Sequence, residues 1–125
     1  MADIDVSSSQ CAGCVVVMLR GELDIRQATP LARALSAAAG TGSQVIVDLR
    51  ELTVIDCSAL GALVYARQRA LYAGGDLTLV APGPPVLRLL SLTGLNDWLP
   101  VFASVDEAAC QANLAGNATS PAMAR

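Results

Sequence analysis

Between a β-branched run and a run of helical period, the chain sets an acid, a thiol and a hydroxyl in succession, Asp56-Cys57-Ser58. A serine or cysteine nucleophile needs a neighbouring base. Histidine is absent from all 125 residues, which removes the Ser-His-Asp and Cys-His pairs and the common zinc sets. What remains open to the trio is helix capping. Asp56 or Ser58 can accept backbone N–H bonds at a helix start, a role worth roughly 1 kcal/mol.

Cys11 and Cys14 form a second candidate, a C-x-x-C. In thioredoxin-like proteins such a pair follows a strand and sits at a helix N-terminus, which activates one thiol. Here it lies between two strand-like segments with no helical period starting at Cys14. A hairpin turn accounts for it, and a thiol-disulfide protein is the lesser alternative. Cys57 and Cys110 supply no further closely spaced pair, so no metal is expected. Oxidation of Cys57, beside a helix start, is a minor further way to block the site, although Asp56 disfavours its thiolate. Neither G-x-x-x-x-G-K-[ST] nor G-x-G-x-x-G occurs, so no cofactor is implied.

Composition narrows the partners. The hydrophobic content is 54% but aromatics are only 3%, giving an aliphatic core and no stacking platforms for bases. A net charge of -3 with eight scattered Lys and Arg residues argues against direct nucleic acid or an anionic membrane. No apolar run approaches the ~18 residues of a membrane span, and the opening MADIDVSSSQ is acidic. The expectation is a cytoplasmic protein with reduced thiols.

The elements that position Ser58 follow from periodicity. Residues 3 to 9 and 14 to 20 read as strands around the Cys11–Cys14 turn, with Val15 to Leu19 central. Gly21-Glu22-Leu23-Asp24 is a break. Thr29-Pro30 then opens a helix carrying Leu31, Ala34, Leu35 and Ala38, which Gly40 ends in the left-handed conformation. Val45 to Leu49 is a buried strand with Asp48 as its odd member. From Asp56 the period changes to that of a helix with Leu60, Leu63, Val64, Arg67 and Leu71 on one side, stopped by Gly74-Gly75. Leu77 to Val80 is a strand, and Pro84-Pro85 opens a helix with Val86, Leu89, Leu90 and Thr93 on one face, closed by Gly94. Val101 to Ala103 is a last short strand, and Ser104-Val105-Asp106-Glu107 is a capping box before a final helix. The domain is expected to span residues 1–115, with a disordered tail over 116–125. The order ββαβαβαβα makes this an α/β chain with a mixed, mostly parallel sheet of four to five strands flanked by four helices. On the second helix Ser58, Gly61, Tyr65, Gln68 and Tyr72 share a face distinct from the leucines, so Ser58 heads a solvent-exposed stripe fit for docking. Gly61 would let another backbone come close.

With these residues in order the sequence resembles the STAS domain family, specifically the bacterial anti-sigma factor antagonists. The matching pieces are Gly21-Glu22-Leu23-Asp24, Val47-Asp48-Leu49, Ile55-Asp56-Cys57-Ser58-Ala59-Leu60-Gly61, Leu77-Thr78-Leu79-Val80 and Leu92-Thr93-Gly94-Leu95, over roughly residues 5 to 113. The resemblance implies a single STAS-type domain that is not an enzyme. It implies a protein that binds an anti-sigma factor with serine kinase activity, frees the sigma factor, and is inactivated by phosphorylation at Ser58. A serine phosphatase is the further partner so implied. Asp24, Asp56, Cys57, Ser58, Ala59, Gly61 and Tyr65 form the implied partner surface. Cys57 stands where the family often has serine, and Ala59 where it commonly has glycine. STAS domains also serve as scaffold or sensor subunits of larger stress-response complexes, the alternative reading, and in the tails of anion transporters, against which the lack of a membrane segment argues.

Overall fold

The computed structural model describes the backbone of residues 3–8, 14–40, 42 and 44–118, and the side chains of 14–40, 42 and 44–111 among them. Residues 11 to 13, where the hairpin turn and Cys11 were placed, lie outside the described residues, as do residues 119–125 of the expected tail. Strands β1 (Asp3–Ser8), β2 (Cys14–Leu23), β3 (Gln44–Ile55), β4 (Asp76–Val80) and β5 (Val101–Phe102) form one sheet in sequential order. β1 pairs antiparallel with β2, and every later neighbour is parallel. Helices α1 (Ile25–Ala39), α2 (Cys57–Tyr72), α3 (Pro84–Thr93) and α4 (Val105–Ala118) join or follow the parallel strands, with a 3-10 turn at Leu95–Asp97.

Because successive side chains of a strand point to opposite faces, β3 serves two cores at once. Val45, Val47 and Leu49 join a large cluster with Leu31 and Leu35 of α1, Leu60 and Leu63 of α2, and Val86 and Leu90 of α3. Ile46 faces the other way, into a smaller cluster with Cys14, Val80 and Ala108 of α4. Three helices therefore cover one face of the sheet and α4 the other. Each fully buried leucine contributes about 1.5–3 kcal/mol to this arrangement. Asp48 shares the α4 face at 1% exposure. It is clasped by Arg50, with Nε donating to Oδ1 at 3.1 Å, Nη2 to Oδ2 at 2.8 Å, and the Arg50 backbone N–H to Oδ1 at 3.1 Å. Its buried charge is thus paired, as burial demands.

The helix ends follow local chemistry, with some departures from expectation. Gly94 closes α3 at φ 76°, and Ser104 Oγ accepts from the Glu107 N–H at 3.1 Å, as the capping box requires. After α2, Gly74 at φ 93° lets its own N–H reach the Leu71 oxygen at 3.2 Å and that of Gly75 the Ala70 oxygen at 2.9 Å. Helix α1, however, begins at Ile25 and not at Thr29, because Asp24 and Gln27 build the stronger cap. Pro30 then lies inside the helix, near its start, with an exposed ring. Gly40 ends α1 in the right-handed conformation, φ -68°, not the left-handed one. β3 continues to Ile55, well beyond Leu49. Leu71 is 46% exposed; the buried face of α2 runs through Ala59, Leu60, Ala62, Leu63, Ala66 and Ala70. α4 is helical to Ala118.

Candidate functional site

Two adjacent parallel strands, β2 and β3, end side by side at the pair Leu23 and Ile55, and each is followed at once by an aspartate and a helix. The Asp56 N–H donates to the Leu23 oxygen at 3.1 Å, and Thr53 Oγ1 donates to the Gly21 oxygen at 2.9 Å. These bonds hold the first turns of α1 and α2 next to each other at the C-terminal ends of two central strands. Both aspartates are N-caps in extended conformation. Asp24 Oδ1 accepts from the Arg26 N–H at 2.8 Å, while the Asp24 N–H donates to Gln27 Oε1 at 3.0 Å. Asp56 Oδ1 accepts from the Ala59 N–H at 3.0 Å.

The two caps differ in electrostatics. Arg26 folds back on Asp24, its Nη2 2.8 Å from Oδ2, and with the Arg26 backbone N–H it holds that carboxyl below the usual carboxylate range. Asp56 has no ion pair among the described residues and lies directly before Cys57 and Ser58. Those two residues occupy the first and second positions of α2, and both side chains are exposed. Their backbone N–H groups find no acceptor among the described residues, as expected for a first helical turn. No described His, Cys, Asp or Glu cluster could hold a metal.

Of the residues singled out in the sequence, Asp24, Asp56, Cys57, Ser58, Gly61 and Tyr65 lie at these strand ends and along α2. Ala59 does not join their surface; it is fully buried beneath them. Tyr65 is 51% and Tyr72 94% exposed, with Gly61 open before the first and Gln68 between the two, so the stripe headed by Ser58 exists as a continuous face. A Cβ on Gly61 would meet nothing within 4 Å, so its exposure leaves room for an incoming chain. Cys14 instead begins β2 and is buried against Ile46 and Val80, with no helix start behind it.

Sequence reasoning missed several members. Ile25, 71% exposed at the first position of α1, and Val54, 47% exposed near the end of β3, form an apolar rim beside the aspartates. Thr29, Arg33 and Ser36 of α1 line an open groove of about 440 Å³ with Ser58, Ala62 and Tyr65 of α2. The pattern Asp24-x-x-Gln27 was the available signal: recognised as a capping box, it places Ile25 on the rim and Thr29, Arg33 and Ser36 on one helical face.

A family model described as the STAS domain matches residues 6–108. The chain is 35% identical over 88 residues to the anti-sigma F factor antagonist of Lysinibacillus sphaericus, covering 68% of this chain and 74% of that protein. It is 28% identical over 101 residues to the anti-sigma-B factor antagonist of Bacillus subtilis (strain 168), covering 81% and 93%. The fold is similar to that of the anti-sigma factor antagonist SpoIIAA solved in its unphosphorylated form, with TM-score 0.76, 23% identity, and 89% of this chain and 96% of that one covered. The Bacillus cell fate determinant SpoIIAA in its phosphorylated form gives TM-score 0.68 at 22% identity, covering 87% and 98%.

Proposed function

The chain belongs to the STAS domain family, and we propose that it works as an anti-sigma factor antagonist that binds an anti-sigma factor with serine kinase activity, frees the sigma factor, and is switched off by phosphorylation at Ser58. The observation that carries this reading is the placement of Ser58: exposed in the first turn of α2, beside the Asp56 cap, at the head of an open stripe. The names of the curated relatives supply the partner class. In this reading the chain is the substrate of its partner's kinase and performs no catalysis, and a serine phosphatase restores it in the cytoplasm. No described helix is long and apolar enough to cross a membrane.

The mechanism is electrostatic and steric. A phosphoserine brings roughly -1.5 to -2 charges, which the free N–H groups and dipole of α2 accommodate without unfolding. A partner fitted to a small neutral hydroxyl next to Asp56 instead meets bulk, repulsion and lost desolvation energy. A loss of about 3 kcal/mol weakens binding by around two orders of magnitude, enough to release the partner. A pull-down with wild-type and Ser58→Asp baits supplies the anti-sigma factor, and calorimetry then tests the switch. Ser58→Ala binds as wild type does; Ser58→Asp and the phosphorylated protein bind about 100-fold more weakly with near-normal melting temperatures. Equal affinity of all four forms would sink the proposal.

A further inference from the structure

The geometry points to Arg33 as the cation that takes the phosphate once Ser58 carries it, drawing the group into the groove between α1 and α2 so that it spans both helices. This rests on the reading of Ser58 as a phosphate acceptor and says where the phosphate goes. Ser58 and Arg33 line the same open groove, whose middle is formed by Ala32 and Ala62. Those small side chains let the two helices pack and leave space above them. The α1 wall, across from Ser58, carries Thr29 as well as Arg33, and the Thr29 hydroxyl is a further donor to a phosphate oxygen.

Charge commitment singles out Arg33. Arg20 pairs with Glu51, Arg26 with Asp24, Arg50 with Asp48 and Arg67 with Asp76. Arg33 is exposed and makes no ion pair with a described residue; of the other described arginines without an ion pair, neither Arg69 of α2 nor Arg88 of α3 lines the groove. Direction favours the contact as well. Side chains of a helix lean toward its N-terminus, and the N-termini of α1 and α2 lie together at the ends of β2 and β3. That tendency takes a side chain at position 33 toward the end of the groove that Ser58 occupies. Its guanidinium presents a planar fork of donors suited to two phosphate oxygens. The other charged or titratable groups around Ser58 are Asp56, the Cys57 thiol and Tyr65 on α2 and the closed Asp24–Arg26 pair on α1. None of these offers an uncommitted positive charge.

Held in this way, the phosphate covers the groove as well as the head of the stripe, and a partner loses the α1 side of the surface together with the α2 side. The test installs phosphoserine at position 58 during synthesis, without kinase or partner, and follows its second ionisation by phosphorus NMR from about pH 4 to 8. An arginine beside the phosphate stabilises the dianion, so wild type titrates at lower pH than Arg33→Gln, by about 0.5 unit or more after solvent screening. Arg33→Lys falls between them, and Arg69→Gln titrates with wild type. Circular dichroism melting verifies that each exposed substitution leaves the fold intact. Equal midpoints for wild type and Arg33→Gln, or an equal displacement in Arg69→Gln, overturn the assignment. Since no partner is present, that failure removes Arg33 alone, whereas failure of the calorimetric experiment removes the switch.

Discussion

At its C-terminal half α2 is tied to the rest of the molecule by the polar contacts of Arg67, while at its N-terminal end one aspartate caps it above the buried Ala59 and Leu60, and the side chains of Cys57 and Ser58 face water. Arg67 Nε donates to Asp76 Oδ1 at 2.8 Å, Nη1 donates to the Trp98 carbonyl oxygen, and the guanidinium lies 4.6 Å from the centre of the Trp98 ring. One side chain, only 15% exposed, thereby joins α2 to β4 and to the turn after α3. At the other end, Asp56 satisfies the Ala59 N–H, and Cys57 and Ser58 are left open. The difference teaches how a small domain can keep a modifiable residue on a helix without risking the helix. The anchoring is concentrated where nothing has to change, and the surface that meets a partner is kept free of interactions that a phosphate would break.

The largest expected effect breaks the anchored end. Arg67→Met leaves Asp76 and the Trp98 oxygen without their charged donor and should cost about 2–3 kcal/mol in urea unfolding. A cost under about 0.5 kcal/mol would mean that the Arg67 contacts do not anchor α2. Next comes Asp56→Ala, which removes the cap and should cost about 1 kcal/mol, with hydrogen exchange accelerated in the first turn of α2 but not near Arg67. The double variant sharpens the comparison. If the two ends are independent, the costs add to within roughly 0.5 kcal/mol, and a larger coupling would mean that the ends are not separable.

The smallest effect contrasts the two caps by acid. The Asp24 carboxyl is held below its ordinary value of 3.8, so its contribution to α1 is full above about pH 4 and fades as pH falls through that lowered value. Arg26→Gln should move this fading to higher pH, visible in the Asp24 carboxyl shift by NMR. An unmoved titration would show that Arg26 does not hold the cap.

Much of this was legible from sequence because the decisive features are local. The period change at Asp56, the box at Ser104 and Glu107, and Gly94 each carry their own physical rule, and the exposed stripe through Tyr65 and Tyr72 followed from helical geometry alone. The start of α1 was not, because Thr29-Pro30 is itself a sound helix-opening signal and competes with the less familiar Asp24-x-x-Gln27. Leu71 was misplaced for a different reason. The side of α2 that meets α1 is built of Ala59, Ala62, Ala66 and Ala70, and close helix packing prefers such small residues over the leucines that dominate a hydrophobicity pattern. The full length of β3 was hidden by the exposed polar residues Arg50, Glu51 and Thr53, although Glu51 pairs with Arg20 of β2 and Thr53 bonds to the Gly21 oxygen, while Arg50 falls at a shift in the register. The groove around Arg33 needs two helices in register, which no single stretch of sequence encodes.

The placement of α4 on the face of the sheet opposite α1 and α2 has an engineering consequence. A fluorescent reporter or an affinity handle appended after α4 is launched from the far side of the sheet, with β3 and β4 between it and Ser58. The domain can therefore be worn as a cassette on a larger polypeptide, its regulatory side still presented outward.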